Sequence, residues 1–133
     1  EIAVDELNRD LVSGGARVIV SQTNNSDFGH SDETFQQAAI ARLRAIETGR
    51  VVVNDSTVGV TAAFAPDGST IASIEAFKPG AITFDAALRT STTPAYWFGP
   101  FFVLAVNLSA AIAIAIGITL ELTTRQRRKR GET

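Results

Sequence analysis

The sequence predicts a layered α/β or α+β domain followed by one long apolar helix. Two observations carry this. Short β-branched runs alternate with amphipathic stretches as far as Tyr96, and beyond it the apolar residues fuse into a charge-free run. Residues 4–13 (VDELNRDLVS) put Val4, Leu7, Leu11 and Val12 on one side of a helix that Gly14 and Gly15 end. Residues 16–21 (ARVIVS) suit a buried strand. Residues 23–31 (TNNSDFGHS), dense in Asn, Ser, Asp and Gly, read as a loop. Asp32 then caps a helix over residues 35–48 whose apolar stripe includes Ile40, Leu43 and Ile46, and Gly49 closes it.

Arg50 leads into a second short strand at residues 51–53, and residues 59–64 (GVTAAF) make a third. Pro66, Asp67 and Gly68 form a hairpin turn, because proline fixes φ and glycine tolerates a positive one. Residues 69–74 return as the partner strand, residues 80–86 (GAITFDA) alternate as a further strand, and residues 88–95 form a Thr/Ser-rich connector. A body that opens on a helix and holds so few strands implies a sheet with members missing. Opening at Glu1 without any Met likewise predicts a piece of a longer polypeptide.

Composition narrows the chemistry. The chain has no Cys and one His, so it holds no disulfide, no thiolate metal site, no cysteine nucleophile and no histidine metal cluster. Residues 1–96 carry 12 acidic and 7 basic side chains. Such a body lacks the clustered positive charge that neutralises phosphates, and nucleic acid is not an expected partner.

Residues 97–120 (WFGPFFVLAVNLSAAIAIAIGITL) carry no charge, and about 20 such residues suffice for a helix to cross the hydrocarbon core. Tyr96 and Trp97 suit an interfacial aromatic belt, while Arg125, Arg127, Arg128, Lys129 and Arg130 follow the far end. The expected organisation is an extracytoplasmic body at residues 1–95, a transmembrane helix at 96–122 and a basic cytoplasmic tail at 123–133, in a cell membrane.

Four stretches carry a family resemblance. Residues 20–31 (VSQTNNSDFGHS) resemble a strand-to-loop segment reading S-N-D-A-W-F-G-x-S, matching at Asn24, Phe28, Gly29 and Ser31. Asn25 and Asp27 stand where Asp and Trp are usual. Residues 36–50 (QQAAIARLRAIETGR) resemble Q-H-x-x-x-A-R-x-R-A-x-E-x-x-R, with Gln37 in place of His. Residues 58–61 together with Pro66, Asp67 and Gly68 resemble N-x-G-[IV]-[ST]-x-x-x-x-P-x-G, with Thr57 at the Asn position. Residues 92–96 resemble a T-P-Y segment that precedes a last membrane helix. Together these are similar to the nitrilase, or carbon–nitrogen hydrolase, superfamily, and within it to the C-terminal part of the apolipoprotein N-acyltransferase family.

That resemblance implies a partial nitrilase-like αββα sandwich followed by one C-terminal transmembrane helix. It also implies a Glu–Lys–Cys triad. The cysteine, in a C-[YF]-E motif, takes an acyl chain from a phospholipid and passes it to the amine of a lipoprotein's N-terminal cysteine. Counting back from Asn24 puts Glu1 at the Glu of that motif. The nucleophile then lies in a missing N-terminal part of the same protein, and this segment alone is expected to be inactive. The implied partners are a phospholipid acyl donor, a lipoprotein acceptor and the membrane, with no cofactor and no metal.

Glu1 is thereby a candidate active-site neighbour of the cysteine. Asn24, Asn25 and Phe28 are candidates for substrate binding, against the plainer reading of an ordinary turn-forming loop. Arg44, Glu47 and Arg50 are expected to form ion pairs that lock helix to sheet, and Gly59 to be a bulge or a close backbone approach. Two other readings stay open. One is a non-catalytic nitrilase-like membrane scaffold of the kind accompanying a polyprenol-phosphate mannosyltransferase. The other is a carbon–nitrogen hydrolase acting on amides or nitriles, which needs no membrane segment.

Overall fold

The β-branched runs Val18–Thr23 (β1) and Val51–Ser56 (β2) pair in parallel, in register from Val18 with Val51 to Thr23 with Ser56. A parallel pair needs a crossover, and the helix Glu33–Thr48 (α2) supplies it. Thr61–Phe64 (β3) and Thr70–Ile74 (β4) form the expected antiparallel hairpin, and β3 pairs with β2, giving the sheet order β1-β2-β3-β4. Asp5–Ser13 (α1) precedes the sheet and Pro94–Gly131 (α3) ends the chain. The computed structural model describes residues 2–131, with side chains as far as Glu121. Two compact units result, Glu1–Trp97 and Phe98–Thr133. The first is a partial nitrilase-like α/β layer.

Its core lies on one face of the sheet. Ile19, Val52, Ala62 and Phe64 meet Ala38, Ala41 and Ala45 of α2, with Ile2 and Val12 beside them. The opposite face stays open, and Val20 on it is 60% exposed. Residues 80–86, whose alternation predicts a strand, are not one. Pro79 has no amide to donate to a ladder. Gly80 packs instead against the side chain of Ile74, and Gly80, Ile82 and Phe84 line a cavity with Val20 and Val53 on the open face.

Two apolar stripes also differ from expectation. In α1 the buried residues are Asn8 and Val12, while Val4, Leu7 and Leu11 are exposed. The Asn8 amide makes its burial tolerable by donating to the Ile2 and Val4 carbonyls at 2.9 and 2.7 Å. Leu7 and Leu11 instead line a groove with Ile19 and Val20, beside the unpaired edge of β1. In α2 the buried face is Thr34, Ala38, Ala41, Ala45 and Thr48, whereas Leu43 and Ile46 are exposed and only Ile40 packs against the core. Small side chains let the helix approach the sheet closely, which pushes the large ones to its flanks. Ile46 ends up beneath the hairpin turn, where Gly68 holds a φ of 83° and accepts the Arg42 Nε–H at 2.5 Å.

The helix ends follow local chemistry. Gly49 takes a left-handed φ of 67° and donates to the Ala45 carbonyl at 3.0 Å, as a helix-closing glycine does. Asp32 precedes α2 but makes no side-chain capping bond; its carbonyl accepts the Phe35 and Gln36 amides instead.

Within α3, Pro94–Glu121 is a 28-residue stretch with a mean hydropathy of 2.4, long and apolar enough to cross a membrane. Its polar side chains turn back on the helix: Asn107 donates to the Val103 carbonyl at 3.0 Å and Ser109 to Val106 at 2.8 Å. Such back-bonding satisfies part of each side chain's hydrogen-bonding capacity within the helix itself.

Candidate functional site

The parallel strands β1 and β2 end side by side at Thr23 and Ser56, and each runs into a polar loop. In sheets with parallel strands, the crevice beyond the carboxyl ends is where ligands bind, because the following loops converge there. The two loops here are tied to each other by side chains as well as by one backbone bond. Asn24 Oδ1 accepts from the Ser26 amide at 3.2 Å, the Ser26 hydroxyl at 2.6 Å and the Thr57 hydroxyl at 3.0 Å. The Thr57 amide donates to the Thr23 carbonyl at 3.3 Å. Asn24 thus lines a shallow cavity of about 390 Å³ with Gln22, Thr23, Asp55, Ser56 and Thr57.

A second knot lies beneath the first. Asn25 and Thr34 are each 2% exposed. The Thr34 hydroxyl accepts from Asn25 Nδ2 at 3.1 Å and from the Val60 amide at 3.0 Å. Ser56 Oγ accepts the Gly59 amide at 2.8 Å, and Asn54 Nδ2 donates to the Val60 carbonyl at 2.8 Å. Gly59 sits where these groups meet, and a Cβ on it would overlap Thr34 Oγ1, Asn25 Nδ2 and Ser56 Oγ. The expected close approach at Gly59 is a contact with side chains rather than a bulge. Phe28 lies half-buried on the turn Ser26–Phe28, its amide bonded to the Asn25 carbonyl at 3.1 Å. Asn24 therefore faces a cavity, Asn25 is interior and Phe28 lies between. Glu1 is outside the described residues.

Arg44 pairs with Glu47 within α2 at 2.5 Å and with Asp5 of α1, and it donates to the Ile2 and Ala3 carbonyls at 2.9 and 2.7 Å. These ion pairs tie α2 to the N-terminal segment rather than to the sheet. Burial on its own would lower the pKa of Arg44; the hydrogen bonds to Glu47 and Asp5 outweigh it, so the net shift is upward. Arg50 differs from expectation. Its buried guanidinium donates to the backbone carbonyls of Ala16, Thr48, Gly49, Ser91 and Thr90 rather than to a carboxylate. A planar fork suits such a cluster of carbonyls left over at a helix end. The same region is held by Thr93, whose hydroxyl donates to the Glu47 carbonyl and accepts the Tyr96 amide at 3.2 Å.

Thr34, Asn54 and Ser56 were not singled out in the sequence, and Thr57 was noted only for standing at an Asn position of the family pattern. Asn54 carried a usable signal, since Asn is depleted in strands and stands here after three valines. Among the described residues no group of three or more His, Cys, Asp or Glu could hold a metal. The chain has no cysteine.

The class these features define is an α/β layer with a polar two-loop rim at the carboxyl ends of a parallel strand pair. Residues 1–95 match the carbon-nitrogen hydrolase family model, and the chain belongs to that family. It is 36% identical to an apolipoprotein N-acyltransferase of Mycolicibacterium smegmatis, over the whole of this chain and 23% of that protein. It is also 36% identical to an apolipoprotein N-acyltransferase of Shewanella oneidensis, over 74% of this chain and 18% of that protein. A third, apolipoprotein N-acyltransferase 1 of Treponema pallidum, is 32% identical over 95% of this chain and 23% of its own length. The chain thus spans 18–23% of the length of these relatives.

Proposed function

We propose that this chain serves as the C-terminal part of an apolipoprotein N-acyltransferase, which moves an acyl chain from a phospholipid to the N-terminal amine of a lipoprotein. The observation that carries the reading is the match to the Mycolicibacterium smegmatis relative, which runs through the body and the apolar helix alike. The unpaired edge of β1, flanked by exposed Leu7 and Leu11, also supports a body completed by further strands. The helix is the membrane anchor, with residues 1–95 outside the cytoplasm and the basic residues 123–133 inside it.

The reaction requires a nucleophile beyond this chain. The triad's Glu takes the proton of a cysteine thiol in the preceding part, the thiolate attacks the donor's ester carbonyl, the acyl–oxygen bond breaks, and the lysophospholipid leaves with that proton. The lipoprotein amine then attacks the thioester and gives a proton to the same Glu, which returns it to the sulfur as the carbon–sulfur bond breaks. This chain contributes the rim. Asn24 and Phe28 orient the substrate, Asn25 fixes their loop from below, and Glu1 stands beside the nucleophile. Arg44, Glu47, Arg50 and Gly59 hold the scaffold.

The test is N-acylation of a synthetic diacylated lipopeptide by the full-length protein carrying this chain, with phospholipid as donor. The peptide should gain one acyl chain, and replacing the motif cysteine should abolish the gain. Equal activity in both proteins would overturn the mechanism. Cleavage of simple amides without any acylated peptide would favour the hydrolase instead.

A further inference from the structure

Another cavity, of about 510 Å³, is lined in part by Thr34 and Val60, which belong to the knot beneath the rim. Phe35, Val60, Ile74, Ala76 and Phe77 supply its apolar wall, while His30, Ser31 and Glu75 are polar. Its volume falls within the roughly 300–1,000 Å³ usual for small-molecule sites, and an apolar lining with few polar groups is their usual chemistry. Phe35 and Phe77 remain 57% and 47% exposed, so two aromatic rings face water unless something covers them.

Phe77 is also held in an unusual way. It is the one non-glycine residue with a positive φ among the described residues, at 64°. A left-handed conformation is unfavourable for a bulky side chain and persists only where its surroundings impose it. Here the Phe77 amide donates to the Val58 carbonyl at 2.8 Å, and its ring rests on His30 with centroids 4.2 Å apart. Both partners belong to the loops that form the rim, since Val58 follows Thr57 and His30 follows Phe28. The cavity and the rim therefore lean on the same two loops, and Thr34, which lines the cavity, also holds Asn25 of the rim loop.

We propose that this cavity receives the fatty acyl chain of the phospholipid donor, with the ester end toward the rim. The proposal rests on the acyl-transfer reading, and it adds where the chain lies and what sets chain-length preference. An acyl chain fits because it is apolar along its length and covers Phe35 and Phe77 without needing hydrogen-bond partners. Glu75 does not oppose an anionic head group, because Lys78 pairs with it at 2.5 Å.

Two measurements on the full-length protein test this. The first narrows the cavity with Ala76→Trp and, separately, Ser73→Leu, and compares kcat/KM for donors with long and short chains. Each methylene displaced from an apolar wall costs about fourfold in binding, so the long-to-short ratio should fall about tenfold in at least one variant. An equal loss for both chain lengths, or an unchanged ratio in both variants, overturns the proposal. The second uses a phosphatidylethanolamine with a diazirine near the methyl end of its chain and maps the crosslinks by mass spectrometry. Labelling within residues 30–35 and 73–77 supports the site. Labelling only elsewhere overturns it, including when those residues are covered by another part of the chain or by a second copy. Labelling in the cavity by a protein that acylates no peptide supports the chain site and overturns the acyltransferase reading.

Discussion

Gly59 is where the two rim loops depend on a single hydrogen atom. Thr34, Asn25 and Ser56 crowd the space a side chain would take, so Gly59→Ala must displace at least one hydrogen-bonded group. The expected cost is about 1–3 kcal/mol, read as a lower thermal midpoint of the full-length protein. Acylation should fall further than stability alone predicts, because Asn24 and Thr57 lose their common frame. Arg50 is the second sensitive residue. Arg50→Met leaves the carbonyls of Ala16, Thr48, Gly49, Thr90 and Ser91 without their donor. A loss of about 2–4 kcal/mol follows from the strength of hydrogen bonds to a charged group. Arg50→Lys should recover only part of it, having no planar fork. Hydrogen exchange at residues 90–93 should rise in both variants, and unchanged protection there would contradict the assigned role.

At the scale of the element, α2 separates hydrophobicity from burial. Its largest apolar residues, Leu43 and Phe35, are exposed, while Ala41 and Ala45 are fully buried against the sheet. Close packing makes volume decisive there, and a larger side chain cannot be accommodated without moving the helix. Ala45→Leu should therefore destabilise by about 1–3 kcal/mol. Leu43→Ala should stay within about 0.5 kcal/mol, as exposed substitutions usually do. The reverse order in a thermal melt of the two variants would mean that α2 packs through the Leu43 face.

At the scale of the whole molecule, the reading turns on which side of the membrane each end occupies. No cysteine lies within these 133 residues, so labelling of an introduced thiol in the full-length protein is read by mass spectrometry on the peptide that carries it, apart from any thiol of the preceding part. Ser26→Cys should react with a membrane-impermeant maleimide added to cells whose outer barrier has been opened. Thr133→Cys should react only after the inner membrane is permeabilised. Labelling in the opposite pattern would invert the proposed topology.

The strand–helix–strand order, the Pro66–Gly68 hairpin, the glycine that closes α2, the apolar helix and the family resemblance were all legible in the chain, because each is written in contiguous residues. Periodicity, turn chemistry and motif spacing are local signals, legible without knowing what packs on what. Which faces are covered follows from packing alone. The stripe of Leu7 and Leu11 meets an open sheet edge, Leu43 and Ile46 yield the sheet contact to alanines, and residues 80–86 cross a sheet face without joining it. The same holds for the rim and the apolar cavity. Asn24 with Thr57 and His30 with Phe77 lie far apart along the chain, and folding alone brings them together. Burial and convergence depend on the partner surface, and a single strand or helix does not carry a record of its partner.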